Sequence, residues 1–200
     1  MARVLVLHAH PGQRHSAVNR AMLRAAREID GITVVDLYAA YPRFKIDVDA
    51  EQKRLGEHDV IVFQFPFYWY STPSLLKEWQ DLVLEYGWAY GPRGNALRGK
   101  VLQLALTTGG SDHSYSAEGH NRFSLRQLTT PLEQTADLCG LTFAPPFVLF
   151  AAHHAREDGR QAQHVEAWRA LLTAHRDDRF DMGSREPVIG IGTVPVMERG

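Results

Sequence analysis

The sequence predicts an α/β domain built on a doubly wound, five-stranded parallel sheet with helices on both faces. Three observations carry this expectation. Short and nearly uninterrupted apolar runs recur along the chain, and such runs suit parallel strands buried on both faces. Longer segments with helical periodicity separate them. The regular alternation of the two implies crossover connections within one sheet.

The elements follow in order. Val4–Leu7 is the first apolar run, and four such residues before His8 are too few for a signal-peptide core. Ser16–Ile29 places Val18, Met22, Ala25, Ala26 and Ile29 on one helical face, with Arg20, Arg24 and Arg27 off it. Ile32–Leu37 is β-branched and reads as the second strand, and Asp59–Phe65 as the third. Ser74–Tyr86 carries Leu75, Leu76, Trp79, Leu82, Val83 and Tyr86 at helical spacing. Lys100–Leu106 is the fourth strand. Leu125–Leu138 is helical, with Cys139-Gly140 at its end. Thr142–Phe150 is the fifth strand, interrupted by Pro145-Pro146, and Arg160–Ala174 is a last helix with Val165, Trp168, Leu171 and Leu172 inward. Residues 1–180 thus make one domain. The segment 181–200, punctuated by Gly183, Pro187, Gly190, Gly192 and Pro195, is a tail that reads either as a frayed terminus or, from Val188, Ile189, Ile191 and Val194, as an extended arm on a second subunit.

Composition narrows the function classes. The 200 residues carry 22 Lys plus Arg against 23 Asp plus Glu, so the net charge of −1 lacks the basic excess of a nucleic-acid binder. A hydrophobic content of 44% argues against disorder. The single cysteine, Cys139, excludes an internal disulfide and a multi-cysteine zinc site. No window approaches the roughly 20 apolar residues of a membrane span, so a soluble, cytoplasmic protein is expected.

In a doubly wound sheet the ligand crevice lies beyond the carboxyl ends of the strands. Three unusual loops fall there. After the first strand comes His8-Ala9-His10-Pro11, with Ser16 as a candidate N-cap and Asn19 in the first turn of the helix that follows. A helix start of this kind suits a phosphate, with His10, Ser16 and Asn19 as side-chain donors, although an ordinary capped helix reads the same way. After the third strand stand Phe67-Tyr68-Trp69-Tyr70, which suit either a planar heterocycle or a partner subunit. Thr107-Thr108-Gly109-Gly110 follow the fourth strand, where the glycines permit a close approach to a ring edge or a tight turn. Tyr115 and His120 lie downstream in a Gly/Ser-rich stretch. Competing chemistries fit less well. The Gly-x-Gly-x-x-Gly dinucleotide fingerprint is absent, which leaves Asp36 as a turn residue. Ser111-Asp112-His113 are successive and cannot form a relay. No His-Glu-x-x-His or comparable spacing supports a metal.

Taken together, His8–Pro11 with Ser16 and Asn19, Gln64–Pro66 with Trp69–Ser71 and Pro73, Gly87–Gly91 with Leu97 and Gly99-Lys100, and Thr107–Gly110 resemble the flavodoxin-like NAD(P)H:quinone oxidoreductases. The branch most similar is that of the ancillary quinone oxidoreductases of glutathione-gated potassium efflux systems, and the likeness extends over about residues 3–175. The resemblance implies a flavodoxin-like three-layer sandwich holding a noncovalent flavin, FMN or alternatively FAD, with NAD(P)H as hydride donor. His10, Ser16, Ala17, Val18 and Asn19 match the phosphate and ribityl region. Phe67, Tyr68, Trp69 and Tyr70 match the loop beside the isoalloxazine, and Thr107, Thr108, Gly109 and Gly110 the loop at its other edge. Tyr115 matches an aromatic near the flavin. His120 matches a histidine of the ancillary branch, whereas Asn121 stands at the place aligned with the animal enzymes' histidine. Tyr115 and His120 are thereby the candidate catalytic donors, and Trp69, Tyr70, Trp88 and Tyr90 the candidates for lining the substrate cleft. The Trp88–Tyr90 segment approaches the flavin of the other subunit in this family, which implies a homodimer. The implied activity is two-electron, ping-pong reduction of a quinone. Alternatives are a regulatory flavoprotein subunit of a membrane potassium antiporter, peripheral on the inner face of the cell membrane, or a flavodoxin-type electron carrier.

Overall fold

The computed structural model describes residues 1–12, 17–183 and 188–197. Its parallel sheet has the order β2-β1-β3-β4-β5, with β1 Val4–His8, β2 Ile32–Asp36, β3 Val60–Pro66, β4 Val101–Thr107 and β5 Thr142–Phe143. A sixth segment, β6 Phe147–Leu149, also pairs with β4. β5 pairs Val101 and Leu102, and β6 pairs Ala105, Leu106 and Thr107, so the two segments together fill the expected fifth strand. The Pro145-Pro146 step cannot donate to the ladder. The buried Gln103 side chain bridges that gap by donating to the Pro145 carbonyl at 2.8 Å.

The alternation of side chains along each strand builds two cores. Leu5, Leu7, Ile61, Phe63, Leu102 and Leu104 face helices α3 (Val48–Gly56), α4 (Ser74–Val83) and α6 (Thr130–Leu138). Val4, Val6, Val60, Val62 and Ala105 face α1 (Ala17–Arg27) and α7 (Arg160–Arg176). The inward positions expected for α1 and α7, namely Val18, Met22, Ala25, Ala26, Trp168, Leu171 and Leu172, are all buried.

Several boundaries differ from the sequence expectation, and one helix is added. The second strand stops at Asp36, whose carboxylate accepts from the Ala39 N–H and caps a four-residue helix α2 (Leu37–Ala40). The third helix, α3, is one that periodicity does not reveal. The helix from Ser74 ends at Val83. The expected Leu125–Leu138 helix is two, α5 (Leu125–Leu128) and α6, because Thr129 leaves helical geometry just before Pro131 at the start of α6.

The tail does not extend away as an arm over its described residues. Ile189 donates to the Pro146 carbonyl at 2.8 Å and accepts from Val148 at 2.9 Å. Its side chain is fully buried in the core under α7. Phe180 and Val196 pair across the return. The sheet edge left open by the short β6 is thereby covered from within the chain. Among the described residues no helix is long and apolar enough to cross a membrane.

Candidate functional site

The carboxyl ends of β1, β3 and β4 meet at the point where the strand order reverses, and buried amides fix them there. Gln64 on β3 donates to the Asn19 carbonyl at 2.9 Å, and Asn19 Nδ2 donates to Thr107 Oγ1 at 2.9 Å. The first turn of α1 is thus tied to two strand ends at once. The amides of Ala17 and Val18 lie at that helix start, where N–H groups have no partner within the helix. Ser16, the expected cap, lies outside the described residues.

The loop after β3 is a tight turn with unusual residues. Tyr68 and Ser71 exchange backbone hydrogen bonds at 3.1 and 3.0 Å. Trp69 and Tyr70 sit between them with φ of 50° and 60°. Left-handed geometry at both central positions is the signature of a type I′ turn, which favours Asn-Gly. Two bulky aromatics held there are strained, and strain of this kind collects at functional sites. Trp69 is 93% exposed.

The loop after β4 is locked to the one after β6. Thr108 donates through its N–H to the Leu149 carbonyl, Ala152 donates to the Thr108 carbonyl, and Ala151 donates to the Gly110 carbonyl at 2.8 Å. Arg160 at the start of α7 donates to the Phe150 and Ala151 carbonyls at 2.7 and 3.2 Å. The Tyr115 ring packs closely on Gly110, where a Cβ would lie 3.1 Å from it.

Two adjoining cavities open between these loops. The larger, about 540 Å³, is lined by His10, Ala17, Val18, Asn19, the Pro66–Trp69 segment and Thr107–Gly109. The smaller, about 310 Å³, adds Tyr70, Gly110, Tyr115, His120 and Asn121, and shares Phe67, Trp69 and Gly109 with the first. Nearly every expected site residue among those described is therefore brought to one edge of the sheet. Trp88 and Tyr90 are the exceptions: they lie half-buried against the α4 side of the core and line neither cavity of this chain.

The larger cavity also contains Ala152, His153, Arg156, Glu157 and Gln161, from the β6–α7 connection and the start of α7. Sequence reading missed them. The available signal was that this polar segment follows a strand on the same sheet edge as the other loops.

Electrostatics assign partial roles. Burial and the neighbouring His8 lower the His10 pKa to about 4, so its ring is neutral at pH 7. Gly12 donates to His10 Nδ1 at 3.1 Å, which leaves the proton on Nε2. Burial and the nearby Tyr70 raise the Tyr115 pKa, so the phenol stays protonated and can donate. Among the described residues Asn19 Oδ1 is buried without a partner, an acceptor available to a hydroxyl. A helix start, the Arg156 cation on the wall, an orphan acceptor and a flat aromatic turn form a donor set that fits a phosphorylated polyol carrying a planar ring. No cluster of metal-ligating side chains is present among the described residues.

Comparison with known proteins agrees with this geometry. A family model described as flavodoxin-like fold matches residues 2–172. The chain is 44% identical over 161 residues to the glutathione-regulated potassium-efflux system ancillary protein KefG of Pectobacterium atrosepticum, covering 80% of this chain and 88% of the relative. The structure of general stress protein 14 from Treponema denticola in complex with FMN superposes with a TM-score of 0.78 at 42% identity, over 85% of this chain and 99% of that one. An NADPH-quinone reductase structure from P. pentosaceus gives a TM-score of 0.75 at 28% identity, over 84% and 95% of the two chains.

Proposed function

The chain belongs to the flavodoxin-like fold family, and from that premise we propose that it is an FMN-dependent oxidoreductase that takes a hydride from NAD(P)H and reduces quinones. The observation that carries this reading is the pair of joined cavities at the strand ends, bordered by the strained Trp69-Tyr70 turn. Its support from relatives is the FMN held by the Treponema protein and the activity of the P. pentosaceus reductase.

The residues divide the work. The Ala17 and Val18 amides and the Arg156 guanidinium would hold the phosphate, with His10 donating from Nε2. Asn19, Thr107 and Thr108 would receive the polyol hydroxyls. The backbones of Phe67–Tyr70 and Thr108–Gly110 would border the ring. When bound, the flavin supplies the two-electron chemistry that no side chain here can. Tyr115, kept protonated by burial, would be the hydrogen-bond donor toward a bound ring. His120 stands exposed at the mouth of the smaller cavity, where its imidazole would meet the bound substrate. Trp69 and Tyr70 offer one apolar wall of a cleft that serves donor and acceptor in turn, which is a ping-pong order. Trp88 and Tyr90 line neither of the two site cavities, so their substrate-binding role requires a second copy, and the exposed Tyr86 beside them suits a homodimer face.

The test is direct. Purified protein should take up FMN one to one, bleach with NAD(P)H and recover with a quinone. Varying both substrates should give parallel double-reciprocal lines. A protein that binds no FMN, or bleaches without recovering, refutes the reading. Preference for FAD in the same titration would refute the cofactor choice alone.

A second reading has its own observation. The Pectobacterium relative is named as an ancillary protein of a potassium-efflux system, so this chain would be a regulatory subunit docked at the inner face of the cell membrane rather than a free cytoplasmic enzyme. Co-sedimentation with membranes only when a cognate antiporter is co-expressed favours that reading, and full activity in the soluble fraction regardless of the antiporter counts against it.

A further inference from the structure

Two loops face each other across the smaller cavity. On one side is the Phe67–Ser71 turn, and on the other the segment from Ser111 to Arg122. At their base the Phe67 and Tyr115 rings meet at 6.4 Å, and among the described residues one side-chain hydrogen bond joins their tips: the Tyr70 hydroxyl donates to Asn121 Oδ1 at 3.0 Å. Both residues line the cavity that they span.

The two sides differ in how they are braced. The Ser111–Arg122 segment bonds to itself, with Ser114 donating to the Ser111 carbonyl, Tyr115 to Asp112, the Ser116 hydroxyl to His113 and the Asn121 N–H to the Ser114 carbonyl, each at 2.9–3.0 Å. It also turns tightly at Gly119, where any Cβ would lie 2.0 Å from the His113 carbonyl oxygen. Asn121 is therefore held in place by its own loop. The opposite turn is bonded at its base, between Tyr68 and Ser71, and carries unfavourable φ values at its tip. Among the described residues, the tip has no side-chain polar contact other than Tyr70 to Asn121.

We infer that Asn121 is a positioning residue: by accepting from Tyr70 it latches the aromatic turn across the acceptor end of the cleft and thereby limits the size of the quinone that enters. A small planar acceptor fits beneath the closed latch. A larger one must break the bond, and losing one hydrogen bond of this kind corresponds to about two- to tenfold in affinity. The inference rests on the quinone-reductase reading above.

The experiment measures binding without turnover. FMN-loaded protein is titrated by calorimetry with two oxidised quinones in the absence of NAD(P)H, a methylated benzoquinone and a naphthoquinone bearing a long alkyl chain. Asn121→Ala and Tyr70→Phe should each move the affinity ratio about two- to tenfold toward the larger quinone. The double variant should move it no further, because both changes remove one bond. Asn121→Asp, which keeps an acceptor oxygen, should restore the original ratio. An unmoved ratio in both single variants, additive shifts in the double, or failure of Asn121→Asp to restore the ratio overturns the latch while leaving the quinone-reductase reading intact. Wild-type protein that binds neither quinone overturns that reading and the latch with it.

Discussion

Helix α7 buries a histidine whose ring has no hydrogen-bond partner among the described residues. His164 is fully buried, and both of its ring nitrogens are unpaired there. Its ring stacks on Phe147 at 4.3 Å and 11°. Burial, reinforced by the Arg160 charge, lowers its pKa from 6.5 to about 3. In the folded chain the ring thus stays neutral down to about pH 3, while the unfolded chain takes up a proton below 6.5. The unfolded state binds more protons throughout that window, so stability is intact above it and falls as pH drops through it. The slope is about 1.4 kcal/mol per pH unit, which gives a loss of about 2 kcal/mol at about pH 5 from this group alone. His164→Leu keeps a similar volume, removes two unpartnered polar atoms and removes the titration. At neutral pH the variant should be at least as stable as the wild type. Near pH 5 its advantage should grow by about 2 kcal/mol. Urea unfolding of both proteins at the two pH values measures this. His175, also lowered to about 4 by burial, is present in both proteins and cancels from the comparison. A gap between variant and wild type that is the same at both pH values would refute the claim that His164 is held neutral in the fold.

Three further outcomes follow from the site and the tail. Replacing Trp69-Tyr70 by Asn-Gly removes two left-handed aromatics at roughly 1–3 kcal/mol each, so the thermal midpoint should rise while FMN and quinone affinity fall; a lower midpoint would show the turn is unstrained. Asn19→Ala breaks the tie between α1 and β4 and leaves the Thr107 hydroxyl without its donor, a loss of about 1–3 kcal/mol in unfolding free energy that should be accompanied by weaker FMN uptake. Ile189→Ala, at a fully buried position, should destabilise the chain by about 2–5 kcal/mol with no change in self-association by sedimentation equilibrium; the reverse pattern would place the tail on a second subunit.

Much of this was legible in the chain because strands buried on both faces must be apolar throughout. Val4–Leu7 and Asp59–Phe65 announce themselves in that way, and the loops after them were already suspect as site loops. Helix α3 was hidden for a physical reason. Its inward face pairs Leu55 not with a second apolar residue but with Glu51, fully buried and bonded to Tyr41, Trp79 and Arg54. A buried carboxylate is tolerable only with such partners, and one of them, Trp79, comes from another helix. The lining role of Arg156 and Gln161 was hidden likewise, since it depends on Arg160 grasping two carbonyls of the preceding loop.

The sequence by itself determined the layering, the strand runs and the convergence of three loops, because periodicity and burial are properties of short segments. Tertiary structure alone decided that the tail closes the sheet edge of its own chain and that Tyr70 meets Asn121. It alone decided, too, that the α1 helix start is pinned to β4 by Asn19 and Thr107, 88 residues apart. These are single directional hydrogen bonds between distant residues, and no local pattern records which donor will find which acceptor once the layers have packed.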